Sequence, residues 1–369
     1  MLKKLIKISS MRDVQAPTEY TTMHNNLLYY ATQSNIPFVI SSDIQADEDL
    51  NIFVDKKLIT KDSVYLLVNY RLAINPLLKI LGFIGENYNS SVELASNKPI
   101  LKTFLSRRGI PVPEFTIGLP LDSGYPCILR KSDATSSSGL YLVGTEDELF
   151  GLVENKDSPV IEKIIGLEKD IPISYMVWTY FYKPVAIIAK IVRECKTHKE
   201  WIFPARQNVF YIPLFPRESI SLESFKTVRA KDINTYHPDY VQDFLTIAET
   251  NKTLQAFSMD NVPFTYEAAS HSMQFNHEKI KKWGVYNLAE AVSKILRLGF
   301  CRVDIKLDEK KAPNVLDVKT YSGYHSPLFP FHLLNKFPSD SEHIWYMIHK
   351  YYNLFGKFSK CDTVPERLE

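Results

Sequence analysis

Arg302, Asp304, Lys306, Asp317 and Lys319 are the side chains of this sequence best spaced to do chemistry together. They fall two apart within two apolar–polar alternations, residues 301–307 and 315–319, separated by the charged stretch 308–313. Period-two patterning around a polar connection predicts a β-hairpin. Val303, Ile305 and Leu307 form one face, and Arg302, Asp304 and Lys306 the other, with Asp317 and Lys319 on the partner strand. Charges gathered this densely are costly unless they are paired or something binds between them. A divalent cation held by the carboxylates, with phosphates as its other ligands, meets that need. Cross-strand salt bridges meet it as well.

Other segments must position this hairpin. Residues 285–298 carry Val285, Leu288, Ala289, Val292, Ile295 and Leu296 at helical spacing, with Gly299 predicted to end the helix. Residues 97–109 predict a second helix, with Ile100, Leu101, Phe104 and Leu105 as its apolar stripe. Lys98, Lys102, Arg107 and Arg108 face elsewhere on it, Lys98 reads as a solvated helix-start lysine, and Gly109 is the stop. Residues 125–143 read as strand, loop and strand, and the loop 132–139 is rich in Ser, Thr and Gly. Small residues let backbone N–H groups converge on one point, as phosphate binding requires, and Arg130 or Lys131 adds charge. Residues 146–152 predict a short helix, and residues 160–165, the stretch up to 177 and residues 184–192 predict strands. Near the N-terminus, apolar stretches at 5–9, 36–40 and 63–70 alternate with a helix over 18–34, where Met23, Leu27, Leu28 and Ala31 recur. That order predicts a small, mostly parallel α/β sheet over residues 1–90. Residues 211–283 carry no readable chemistry, although 241–257 has a helical pattern, and an aromatic helical stretch occupies 343–355.

The totals narrow the class of protein. The chain has 369 residues, 45% hydrophobic and 23% charged, which is ordinary for a globular protein with room for two or three compact units. Lys+Arg 44 against Asp+Glu 42 leaves a net charge of +2, so no global attraction to nucleic acid or anionic membrane is expected. Its four cysteines, 127, 195, 301 and 361, form no C-x-x-C pair, which disfavours a disulfide scaffold or zinc site. The first residues lack the apolar core of a signal peptide, and no run approaches the ~20 apolar residues of a membrane helix. The expectation is a soluble, cytoplasmic protein.

Taken in order, these segments resemble the ATP-grasp superfamily, and within it the D-alanine–D-alanine ligase-like carboxylate–amine ligases. The resemblance covers residues 92–330 except 211–283. It implies an α/β (α+β) ATP-grasp fold: a small N-terminal α/β (pre-ATP-grasp) domain over 1–90, then an ATP-grasp domain over 91–369. Within the latter, residues 118–185 would be the nucleotide-binding subdomain, 186–335 the catalytic subdomain and 336–369 a C-terminal helix. ASNKPILKTFLSRRGIPVP is similar to the family's helix whose early lysine contacts ATP phosphates, here Lys98. PCILRKSDATSSSG resembles its strand and phosphate loop, with Arg130 at the lysine position, Lys131 at the proline position, and Ser136, Ser137 and Ser138 in the closing loop. A one-residue slip that uses Lys131 instead stays open.

By the same resemblance, VIEKIIGLEKD places Glu162, Lys163 and Ile165 near adenine, with Glu168 or Asp170 on the ribose. On the hairpin, Arg302 would bind the transferring phosphate and Asp304 would ligate metal. Asp317 stands where a glutamate usually bridges two magnesium ions, and Lys319 where an asparagine usually binds the second. Gly323 matches a glycine facing the reacting carbonyl, and His325 and Ser326 lie where the family contacts substrate. An ammonium cannot ligate metal while protonated. The implied cofactors are therefore ATP and one Mg²⁺ rather than two. The implied enzyme is an ATP-dependent ligase that joins a carboxylate to an amine, with amino acids or a peptide as substrates, no nucleic-acid or membrane partner, and a possible homodimer. A catalytically impaired nucleotide-binding protein and a ligase acting on a peptide or protein carboxylate are the alternatives.

Overall fold

The computed structural model describes residues 3–8, 19–68, 74–83, 85–86, 90–132, 139–153, 159–165, 173–180, 182–192, 197, 199, 209–213, 220–221, 264–267, 272–275 and 277–320. Strands β1 (Lys4–Ile8), β2 (Phe38–Ser41), β6 (Val64–Val68) and β7 (Gly85–Glu86) form a parallel sheet in the order β2-β1-β6-β7. Leu5, Ile6 and Ile8 are buried on both faces of β1, as an interior parallel strand requires. Helix α1 (Glu19–Gln33) buries Leu27 and Ala31, whereas Leu28 from the same expected stripe is exposed. Between β2 and β6 lies an antiparallel sheet that sequence periodicity does not announce, β3 (Ile44–Ala46), β4 (Ile52–Val54) and β5 (Lys57–Ile59). Strands this short carry too few residues for a two-residue period to stand out.

Helices α2 (Asn75–Ile80), α3 (Ser90–Ser96) and α4 (Lys98–Arg107) follow. Asn97 caps α4 by accepting the Ile100 N–H at 3.1 Å, and Gly109, at φ +72°, ends it as expected. The buried face of α4 differs from the predicted stripe. Lys98, Leu101, Lys102 and Leu105 are buried, whereas Ile100 is 54% exposed. Lys98 is therefore not a solvated helix-start lysine. Carboxylates from distant strands, Asp317 and Glu162, offset part of the cost of burying the two lysines.

A second sheet runs β10 (Leu140–Val143), β9 (Cys127–Arg130), β11 (Val160–Lys163), β8 (Phe115–Ile117), all antiparallel. Leu129, Ile161 and Val143 pack with Leu149 of α5 (Glu146–Val153). Alternation then sends Arg130 and Glu162 to the other face.

The third sheet contains the hairpin. Its order is β14 (Val209–Pro213), β13 (Lys183–Val192), β12 (Ile173–Tyr180), β18 (Phe300–Leu307), β19 (Pro313–Lys319), again antiparallel. A small sheet of β15 (Ile220–Ser221), β16 (Phe264–Glu267) and β17 (Ser272–Phe275) completes the described strands. Helices α6 (His277–Lys282) and α7 (Val285–Ile295) lead into β18. Val285, Leu288, Ala289 and Val292 of α7 share one core with Leu101 and Leu105 of α4 and with Tyr175, Val177, Val303, Ile305, Val315 and Val318. Gly299 does not end α7. The left-handed position is taken by Arg297 at φ +52°, where Leu298 N–H reaches back to the Ser293 carbonyl at 3.0 Å. That return bond satisfies a terminal carbonyl two residues earlier than the glycine predicts.

The expected helices over 241–257 and 343–355 lie outside the described residues. No helix among the described residues is long and apolar enough to cross a membrane. Ile305→Ala, at a fully buried core position, is expected to cost about 2–5 kcal/mol in urea unfolding. Ile100→Ala, on the exposed side of α4, should stay within about 0.5 kcal/mol of the parent. Equal losses at the two positions would contradict this placement of α4.

Candidate active site

The two strands of the hairpin oppose like with like: Arg302 stands across from Lys319, and Asp304 from Asp317. Directly opposed like charges destabilise a sheet, and each is relieved along its own strand. The Arg302 guanidinium donates to both Asp304 oxygens, at 2.8 and 2.9 Å, and lies 5.7 Å from the Trp178 ring. Lys319 Nζ lies 2.6 Å from Asp317 Oδ2.

The buried α4 lysines complete the site from the other side. Lys98 Nζ donates to Asp317 Oδ1, which also accepts the Val318 N–H at 2.8 Å. The Lys98 N–H donates to the Ser132 carbonyl at 3.1 Å, so the start of the predicted phosphate loop is tied to the helix N-terminus. Lys102, 1% exposed, lies 3.4 Å from Glu162 Oε2 and donates to the Val315 carbonyl at 3.1 Å. Arg130 Nε approaches the other Glu162 oxygen at 3.1 Å, as an electrostatic contact rather than an aligned hydrogen bond. Five cationic side chains thus gather around three carboxylates, with positive charge in excess.

Burial alone would raise the Asp317 carboxyl, but Lys98, Lys319 and Arg130 outweigh it and hold the group well below the usual carboxylate range. Burial pulls Lys98 below its ordinary value, with Lys319 and Arg130 adding to the effect and Asp317 opposing it. Lys102 is lowered chiefly by burial as well, against the attraction of Glu162.

Of the residues expected at a site, Lys98, Arg130, Glu162, Arg302, Asp304, Asp317 and Lys319 come together here. Lys131 does not join them, because it points to the opposite side of its strand and lies 5.8 Å from the Tyr141 ring. Lys163 is exposed and Ile165 buried. Ser136, Ser137, Ser138, Glu168, Asp170, Gly323, His325 and Ser326 lie outside the described residues. Lys102 carries no motif, and its one sequence signal is the spacing of four from Lys98 on the face of Leu101 and Leu105. Met176 and Trp178, paired with Asp304 and Arg302, form an apolar wall beside the charges. Their alternation with Tyr175 and Val177 is visible in the sequence.

A magnesium ion that arrives on phosphates takes only one or two carboxylates from a protein. Asp304 and Asp317 supply that number from directly opposed positions. No group of three or more His, Cys, Asp or Glu that could hold a metal by itself occurs among the described residues. Two carboxylates match a phosphate-borne ion in number, but Arg302 engages both Asp304 oxygens, and Lys98 and Lys319 engage the two of Asp317. Lys319 has no lone pair to offer a second ion while protonated.

The fold belongs to a recognised class. D-alanine–D-alanine ligase from Bacillus anthracis complexed with ATP matches at a TM-score of 0.50, with 15% identity, over 98% of each chain. The ATP-grasp ligase PsnB complexed with minimal precursor matches at 0.53 with 10% identity, over 94% of this chain and 99% of that one. A RimK domain ATP-grasp protein from Sphaerobacter thermophilus matches at 0.50 with 14% identity, over 94% and 98%. This chain has the ATP-grasp fold. No family model and no curated protein matches its sequence.

Asp317→Asn leaves Lys98 and Lys319 without their shared anion and is expected to cost about 3–5 kcal/mol at pH 7. The folded carboxyl titrates below the unfolded one, so its contribution is complete above about pH 4 and is lost as pH falls toward the folded value. Urea unfolding of parent and variant should therefore converge below about pH 4. A constant gap down to pH 3 would refute the ionised pairing.

Proposed function

We propose that this protein is an ATP-dependent carboxylate–amine ligase, which phosphorylates a carboxylate with ATP and lets an amine displace phosphate from the acyl phosphate. The observation that carries the reading is the surplus of buried and half-buried cations, Lys98, Lys102, Arg130, Arg302 and Lys319, gathered between two sheets of an ATP-grasp fold. Charge accumulates on the phosphoryl oxygens during transfer, and fixed cations that are already desolvated stabilise it most. Lys98 and Arg130 would neutralise the bound phosphates and Arg302 the transferring group. Glu162 and Ile165 would lie near adenine, and the Ser136–Ser138 loop would close over phosphate. Asp304 and Asp317 would hold one magnesium ion, which when bound offsets phosphate charge and orients the oxygens. In this reading Lys319 supplies the charge of a second ion. Residues 1–90 would form the preceding domain and 91–369 the ATP-grasp domain.

One observation favours a second reading, a nucleotide-binding protein with impaired catalysis. Both Asp317 oxygens already contact ammonium groups, which compete with metal. A ligase acting on a peptide carboxylate differs only in substrate size, and a fold neighbour complexed with a precursor lends that variant support.

Purified protein with Mg-ATP and pooled amino acids or peptides should release phosphate only when an acceptor pool is present. Arg302→Ala should lower that turnover by about 10²–10³-fold, and Lys319→Asn should also lower it if the lysine does the work of an ion. Nucleotide binding without acceptor-dependent phosphate release from any pool would select the impaired reading instead.

A further inference from the structure

The hairpin changes register in its middle. Arg302, Val303 and Asp304 pair with Lys319, Val318 and Asp317, but Ile305, Lys306 and Leu307 pair with Val315, Asn314 and Pro313. Leu316 has no opposite number, which makes it the extra residue of a β-bulge. The register at the closed end is set by the turn, where Asp308 Oδ1 accepts the Lys310 and Ala312 N–H groups, each at 2.9 Å. Continued without the bulge, that register would place Asp317 opposite Val303 and Lys319 opposite Cys301. Val303 and Cys301 belong to the apolar core, so the slip would turn both charges away from the site. The bulge thus returns Asp317 and Lys319 to the face of Arg302 and Asp304.

β19 is the edge strand of its sheet, so the outward backbone groups beside the bulge must find partners outside the sheet. Val315 N–H donates to the Pro111 carbonyl at 2.9 Å, and the Val315 carbonyl accepts from Lys102 Nζ at 3.1 Å. Both partners come from α4 and the segment that follows it. Lys102 contacts Glu162 of β11 with the same ammonium, and it is buried throughout. We infer that Lys102 is a positioning residue: it pins the bulge at Val315, and thereby fixes Asp317 and Lys319 relative to Glu162 and the rest of the cationic cluster. The inference rests on the nucleotide reading for its functional consequence but not for its structural one.

Lys102→Met alone would leave Glu162 under-compensated and confuse position with stability. The comparison is therefore Glu162→Gln against the double variant Lys102→Met/Glu162→Gln, both in the full chain. Amide exchange over residues 313–320, Mg-ATP titration and urea unfolding are measured on each. The double variant should unfold no earlier than Glu162→Gln, which keeps a buried ammonium without its carboxylate. Its exchange at 315–319 should be at least about 10-fold faster and its Mg-ATP affinity at least about 10-fold weaker, the size of one lost charge-assisted hydrogen bond. Unchanged exchange overturns the hold on the bulge. Faster exchange with unchanged affinity overturns the positioning role. A parent protein that binds no Mg-ATP defeats the nucleotide reading and the positioning role with it, and the exchange rates then decide the structural claim on their own.

Discussion

The buried ion pair between Lys98 and Asp317 joins residues 219 positions apart, the first turn of α4 and the C-terminal end of β19. Taking either charge out of water alone would cost several kcal/mol. Each is tolerated because the other is there and because further groups share the charge: the Val318 N–H and Lys319 on the aspartate, the Ala95 carbonyl near the lysine. The pair requires α4 and β19 to be in place together, and the Lys98 backbone N–H separately ties in the start of the loop at Ser132.

Around that pair the charges form a graded set. Arg302 and Asp304 are partly exposed and satisfy each other, Lys319 is similarly placed on Asp317, and Lys102 with Glu162 is fully enclosed. The enclosed members hold strands in position, and the more open ones can exchange an internal partner for a ligand's phosphate at smaller cost. The enclosed lysines and carboxylates balance, and the positive excess lies among the more open Arg130, Arg302 and Lys319, with only Asp304 against them.

Sequence by itself determined much of the local structure. The alternation of 300–307, the helical repeat of 285–295, the β9 and β11 strands and the Gly109 stop are each written within one element, in periods and caps that the residues dictate locally. The charged residues that meet in the site were also legible as types: Arg302, Asp304, Asp317, Lys319, Lys98, Arg130 and Glu162 all stand out in segments of the right kind. What sequence could not supply was how charge and burial are reconciled. Periodicity assigns Ile100 to the core and Lys98 and Lys102 to water, because it weighs each side chain against solvent and not against partners brought from β11 and β19. The bulge at Leu316 was hidden for the same reason. Strict alternation puts Val315 on the face of Asp317, yet Val315 is in the core with Val318, its backbone held by Pro111 and Lys102. A strand's own pattern records which faces it prefers, but its register is decided by what the neighbouring elements offer its unpaired groups, and only the tertiary structure brings those neighbours together.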